Sequence, residues 1–321
     1  MCRIVALSLA LWALAGCSAL SVDLTPRVRP LEEEVVEGHG AAKILMMDIS
    51  GFLTDEAPST GLGLGPSTPR VPMLVRLREE LKKATKDPHV KALVLRINTP
   101  GGTVTASDIM YRELMLYRQE TKVPVIAVLM DVAASGGYYV ALAADHIVAH
   151  PTSVTGSIGT IMITANVEGL LQKIGVATNT IKSAEHKDMG SPFRALTTDE
   201  RTIFQSVIDE LQQQFVAKVV ERRGLPDATA RTLADGRIYT APQALGLRLV
   251  DAIGYVPDAL AAARRAIGER EAKIIVYRRP REYRATYYAQ AHNEGPALGA
   301  TVERFATLAG AGPRFLYLWA P

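Results

Sequence analysis

From residue 43 onward, short apolar runs alternate with amphipathic stretches. The runs at residues 44–49, 92–97, 125–129, 146–149 and 160–164 are short and bounded by polar or turn residues, which predicts strands. A helix is expected at 73–86, after a loop at 58–72 rich in Gly, Pro, Ser and Thr, of the kind that often carries function. The clearest helix covers residues 199–223. Thr197 and Glu200 have the spacing of a capping box, Phe204, Ile208, Leu211, Phe215 and Val219 recur every three to four residues, and Gly224 with Pro226 ends it. Its apolar stripe is expected to pack on the core or on a second subunit. Strands alternating with helices predict an α/β fold, with helices packed on a sheet.

The two ends break this pattern. Arg3 precedes an apolar run at 4–15, shorter than the roughly 20 residues of a membrane span but suited to the core of a signal peptide. Leu14-Ala15-Gly16-Cys17 resembles a bacterial lipobox, which implies cleavage before Cys17 and lipidation of its sulfur. Acyl chains on Cys17 would hold the protein at a membrane. Ser18 after the lipidation site, where an Asp would suggest inner-membrane retention, favours the outer membrane, with the protein facing the periplasm of a bacterial envelope. The expected organisation is a signal peptide at 1–16, a lipid-anchored tether at 17–42, one domain at 43–267 and a tail at 268–321. The apolar residues 315–319 are expected to pack against the domain or a ring of subunits, with a substrate-mimicking tail as the lesser alternative.

Composition narrows the chemistry. Of 321 residues, 48% are hydrophobic and 21% charged, which suits a folded domain and excludes a disordered chain. A net charge of +3 is too small for a general nucleic-acid footprint, so no nucleic-acid partner is expected. Cleavage would remove Cys2 and lipidation would consume Cys17, leaving neither a thiol nucleophile nor a disulfide. No HExxH or CxxC pattern occurs, so no metal or other cofactor is expected and the chemistry falls to side chains.

In Ala133-Ala134-Ser135-Gly136-Gly137-Tyr138-Tyr139, a serine follows an apolar strand and opens a helix. There it either presents a nucleophilic hydroxyl, with the Gly136 N–H available to an oxyanion, or simply caps the helix. Asn98-Thr99-Pro100-Gly101-Gly102 ends another strand, where two glycines permit a sharp turn and an outward N–H, as in many strand-to-helix turns. A serine nucleophile needs a base. His146 and His150 flank a strand and read as structural, whereas Lys182 and Lys187 lie in a polar stretch at 181–192. A lysine serves as base when its surroundings lower its pKa; otherwise it is a solvated charge.

Together with Thr155-Gly156-Ser157-Ile158-Gly159, residues 186–192, Gly236-Arg237-Ile238-Tyr239-Thr240, Leu245-Gly246-Leu247 and Val250-Asp251, these motifs resemble the signal peptide peptidase A family over residues 43–267. The resemblance implies a fold related to Clp protease and crotonase, built of repeated ββα units with helices on the sheets, the long helix serving oligomer packing. It implies a membrane-associated serine endopeptidase, with Ser135 as nucleophile and Lys187 as general base, Lys182 being the alternative base. Gly102 and Gly136 would form the oxyanion hole, Gly101 would allow the turn, and Ser157 would support the dyad. Apolar peptides such as signal-peptide remnants would be the substrates, and a homo-oligomeric ring, tetramer or octamer, the assembly. Typical members carry a transmembrane helix where this chain has the lipobox pattern. Two other readings stand beside it: a catalytically silent ring scaffold of the same fold, which the presence of Ser135 and Lys187 disfavours, and an acyl-CoA enzyme, which export disfavours.

Overall fold

The computed structural model describes residues 29–56, 71–280, 286–287 and 314–320. The chain enters through β1 (Glu32–Glu37) and β2 (Lys43–Ser50), and continues through α1 (Met73–Thr85), β3 (Val90–Thr99), β4 (Gly101–Thr103) and α2 (Val104–Thr121). Then follow β5 (Val125–Ala134), α3 (Gly136–Ala141), β6 (His146–Ala149), β7 (Val154–Gly156), β8 (Ile161–Met162) and α4 (Glu168–Lys173). The long α5 (Thr198–Arg223) leads to α6 (Asp227–Leu233), β9 (Ile238–Thr240), α7 (Ala241–Gly246), β10 (Ala252–Ile253), α8 (Val256–Ile267), β11 (Lys273–Arg278) and, after a gap in the described residues, β12 (Phe315–Leu318).

The main sheet runs β1-β11-β2-β3-β5-β6-β10, with β7 paired to the end of β5 and β9 paired to β7. From β11 to β10 the neighbours on this path are parallel; β1 alone runs against its neighbour. Buried on both faces, β2 and β3 are almost continuously apolar, as parallel strands require. Leu45, Met47 and Ile49 with Leu93, Leu95 and Ile97 face one layer, packed with residues of α1, α2, α3 and α5. Ile44 and Met46 with Ala92 and Val94 face the other, under Val256, Ala259, Leu260 and Ala263 of α8. This is the expected α/β class, and β3-β4-α2 is a ββα unit: β4 leaves the main sheet to join a second, three-stranded sheet in the order β4-β12-β8.

The sheet extends past both expected boundaries of the domain. β1 forms within the span read as a tether, pairing along the edge with β11; Glu34 and Val36 are partly buried there while the other four residues stay in water. β11 lies in the span read as a tail, yet Ile274, Ile275 and Val276 are core residues between β1 and β2. The predicted signal peptide, Cys17 and most of the loop at 58–72 lie outside the described residues. No helix among the described residues is long and apolar enough to cross a membrane.

Candidate active site

Ser135 sits where β5 turns into α3, with φ 52° and ψ −115°. A positive φ strains a residue with a Cβ, and this one is held from both sides. The Ser135 N–H donates to Gly156 O at 2.7 Å and its carbonyl accepts from Tyr139 N at 2.8 Å. The hydroxyl points to Gly159 O at 3.5 Å, a long contact that leaves it weakly engaged. Its side chain makes no capping bond to α3, so the capping role open from sequence is not the one adopted.

Parallel pairing sets Thr99 beside Ala133, which brings the glycine turn after β3 against the start of α3. Gly101 has φ 107°, and a Cβ there would lie 2.8 Å from Gly136 N, so the two glycine segments touch backbone to backbone. A Cβ on Gly102 would fall 2.0 Å from Leu53 O, and one on Gly136 2.4 Å from Ser107 Oγ. Only glycine fits these contacts. On the other side, β7 pairs with the end of β5 and sets Gly156 opposite Ala134, with Ser157, at φ 47°, one residue beyond. Thr155 Oγ1 donates to Ala133 O at 2.7 Å and locks that register. Ser135, Gly101, Gly102, Gly136 and Ser157 are therefore gathered at one place.

The lysines are not. Residues 185–188 form a single 3-10 turn on an exposed stretch between α4 and α5, and Lys187 is exposed there. No hydrogen bond or ion pair of its amine is found among the described residues, and Ser135 bonds elsewhere. Lys182 Nζ is occupied, donating to Glu185 O at 2.7 Å and to Asp188 Oδ1 at 2.8 Å. Arg194 also grips Asp188 and reaches Glu200 at the start of α5. The Arg194 and Lys182 cations hold the Asp188 carboxyl well below the usual carboxylate range, and Arg194 with the Thr197 N–H lowers Glu200 to about 2. The sequence carried no sign of this Arg194 clamp, nor of Leu53 and Ser107 as the groups packed on the glycines.

The chain aligns with a protein of Enterococcus faecium named as signal peptide peptidase SppA, 33% identical over 247 residues, covering 77% of this chain and 70% of that one. Residues 117–269 match the model of peptidase family S49. The chain belongs to peptidase family S49. A protein of Synechocystis sp. named as a protease is 41% identical to this S49 peptidase over 177 residues, 55% of this chain and 63% of the other, so the match spans just under two thirds of that relative. A solved mutant of a membrane-bound stomatin-specific protease superposes with a TM-score of 0.45 at 15% identity, covering 70% of this chain and 86% of that one. The S49 match contains Ser135, Gly136, Ser157, Lys182 and Lys187, while Gly101 and Gly102 precede it.

Proposed function

We propose that this S49 peptidase is a serine endopeptidase that cuts apolar, extended peptides such as signal-peptide remnants. The observation that carries the reading is the strained Ser135, set between the glycine backbones of Gly101-Gly102 and Gly136. Lys187 takes the Ser135 proton as the hydroxyl attacks a peptide carbonyl, and the Gly102 and Gly136 N–H groups receive the oxyanion. The ammonium then protonates the leaving amine, and water hydrolyses the ester by the same route.

Lys187 is preferred over Lys182 because the Lys182 amine is already engaged by Asp188 Oδ1 and Glu185 O, whereas the Lys187 amine has no such partner among the described residues. The exposure of Lys187, together with exposed Leu170, Ile174, Ile181 and Phe193 on the same arm, supports a ring in which the arm of one copy completes the site of the next. In this reading Cys17 is lipidated and keeps the ring at the bacterial envelope.

Cleavage of casein by the full chain in detergent tests the assignment. Wild type and Lys182→Ala should cut, and Ser135→Ala and Lys187→Ala should not. An assembled wild type that cuts no more than Ser135→Ala would return the chain to a silent scaffold.

A further inference from the structure

The Gly102 N–H can serve an oxyanion only if it keeps one direction, and a pair of glycines is the part of a chain freest to turn over. Backbone bonds hold one side of this pair. Leu53 N donates to Gly101 O at 2.9 Å and Thr103 N donates to Leu53 O at 2.8 Å, so the carbonyl of the Gly101–Gly102 peptide is fixed on Leu53. A trans peptide sets its N–H opposite its carbonyl, which turns the Gly102 N–H to the other side, where Tyr317 pairs with Gly102.

The peptide before it is held by a side chain. Thr99 is wholly buried, and its Oγ1 accepts the Gly101 N–H at 3.0 Å, closing a turn across Pro100. A hydroxyl has one proton to give, and here it goes to Gly51 O, a nearer acceptor than Gly101 O at 3.3 Å. Gly51 N in turn donates to Asn98 O at 3.1 Å. The Thr99 hydroxyl is thus engaged both as donor and as acceptor, and it ties the end of β2 to the glycine turn.

The same side chain bears on the second glycine segment. A Cβ on Gly137 would lie 2.7 Å from Thr99 Cγ2 and 2.9 Å from Thr99 O, so the threonine methyl abuts the first turn of α3, one residue beyond Gly136. In the main sheet Thr99 pairs with Ala133, two residues before Ser135. A β-branched side chain has few χ1 choices, so its methyl and hydroxyl are placed together. One residue therefore fixes where Gly101 N sits and how near α3 approaches it.

We propose that Thr99 is a positioning residue for the peptidase reaction, its hydroxyl presetting the direction of the Gly102 N–H relative to the Gly136 N–H. This rests on the reading of Ser135 as nucleophile with those two groups as oxyanion donors. Thr99 itself touches no reacting atom. Without its hydroxyl, the Gly101 N–H and the Gly51 carbonyl lose a buried partner, and the turn relaxes to find others, taking the Gly102 N–H off its line. Donors preset for an oxyanion act on the transition state rather than on bound substrate, so the loss falls on kcat.

Thr99→Val keeps the shape of the side chain and removes the hydroxyl, whereas Thr99→Ser keeps the hydroxyl. Assembled full-length proteins in detergent are compared by kcat and KM on labelled casein, by the pH profile of the rate, and by the rate at which a fluorophosphonate, whose P=O stands in for the peptide carbonyl, labels Ser135. Thr99→Val should lose roughly ten- to a hundredfold in both kcat and labelling, less than outright deletion of a donor costs. Its KM and the pH midpoint of its rate should not move, since neither substrate binding nor Lys187 is touched, and Thr99→Ser should stay close to wild type. Thr99→Val at wild-type kcat, an equal loss in Thr99→Ser, or a change confined to KM or Tm would overturn the proposal. If Thr99→Val does not assemble, Thr99→Ala, which also lacks the hydroxyl, is read the same way. Wild type labelled no faster than Ser135→Ala removes the Ser135 reading and this proposal with it; wild type that labels, with Thr99→Val labelling as fast, removes this proposal alone.

Discussion

Arg194 holds Asp188 by both carboxylate oxygens, with Nε on Oδ2 at 2.9 Å and Nη2 on Oδ1 at 2.8 Å, and the same guanidinium reaches Glu200 in the first turn of α5. The 3-10 turn that carries Lys187 is thereby fastened to the start of the long helix. Both carboxyls are held below their ordinary range, so the stability they contribute is complete above the normal carboxylate pKa and is lost as pH falls through the lowered values, about 2 for Glu200. Bonds between residues 188 and 200 should resist pepsin at pH 4.5 and yield near pH 2. Arg194→Met should make them yield at both, and a variant that still resists at pH 4.5 would show that the clamp does not order the turn.

Gly102 has no room for a methyl group, since a Cβ would meet backbone oxygen and nitrogen of Leu53 at 2.0 and 2.5 Å. Gly102→Ala should therefore cost about 1–3 kcal/mol by overpacking and displace the N–H that faces Tyr317. Thermal unfolding would show a lower Tm for Gly102→Ala, while Gly159→Ala, where a Cβ would lie no closer than 3.4 Å to its neighbours, should leave Tm nearly unchanged.

If one copy supplies Lys187 to the Ser135 of another, two inactive variants can repair each other. Ser135→Ala and Lys187→Ala proteins, unfolded together and reassembled, should recover about a quarter of wild-type casein cleavage, by the statistics of random pairing. Each alone should remain inactive. No recovery in mixed rings, with mixing verified by mass, would place both residues of a working pair in one chain.

Tyr138 is wholly buried one residue beyond Gly137, and its hydroxyl donates to Leu249 O at 2.8 Å. Burial pushes its pKa up, so it remains a neutral donor. Tyr138→Phe would leave the Leu249 carbonyl buried without that donor, at a cost of about 1–3 kcal/mol. Urea denaturation should report it as a lower midpoint with an unchanged m-value.

The central strands were legible because burial on both faces writes itself as an apolar run: His146–Ala149 has the expected bounds, and β2 and β3 exceed theirs only by end residues. The capping box of α5 was legible because its bonds are local; Glu200 N donates to Thr197 Oγ1 at 3.2 Å and Thr197 N to Glu200 Oε2 at 3.0 Å. In the middle of that helix the periodicity misled, since Ile208 and Leu211 are only partly buried while Phe204, Phe215 and Val219 are fully so. β1 stayed hidden because an edge strand tolerates charge, and Glu32, Glu33 and Glu34 carry no apolar alternation. The meeting of Ser135 with the two glycine segments followed from motif order, whereas the seating of Tyr317 depends on pairing across some two hundred residues, which no local pattern encodes.

The direction of β1 has a consequence for orientation. The carboxyl ends of β2, β3 and β5 lie at one pole of the sheet, the pole of Ser135. β11 runs with them and β1 runs back against it, pairing Glu32 with Arg278. β1 thus begins, and β11 ends, at the pole of Ser135. Whatever precedes Glu32 in the chain therefore joins the sheet at the pole of Ser135 and not at the opposite one.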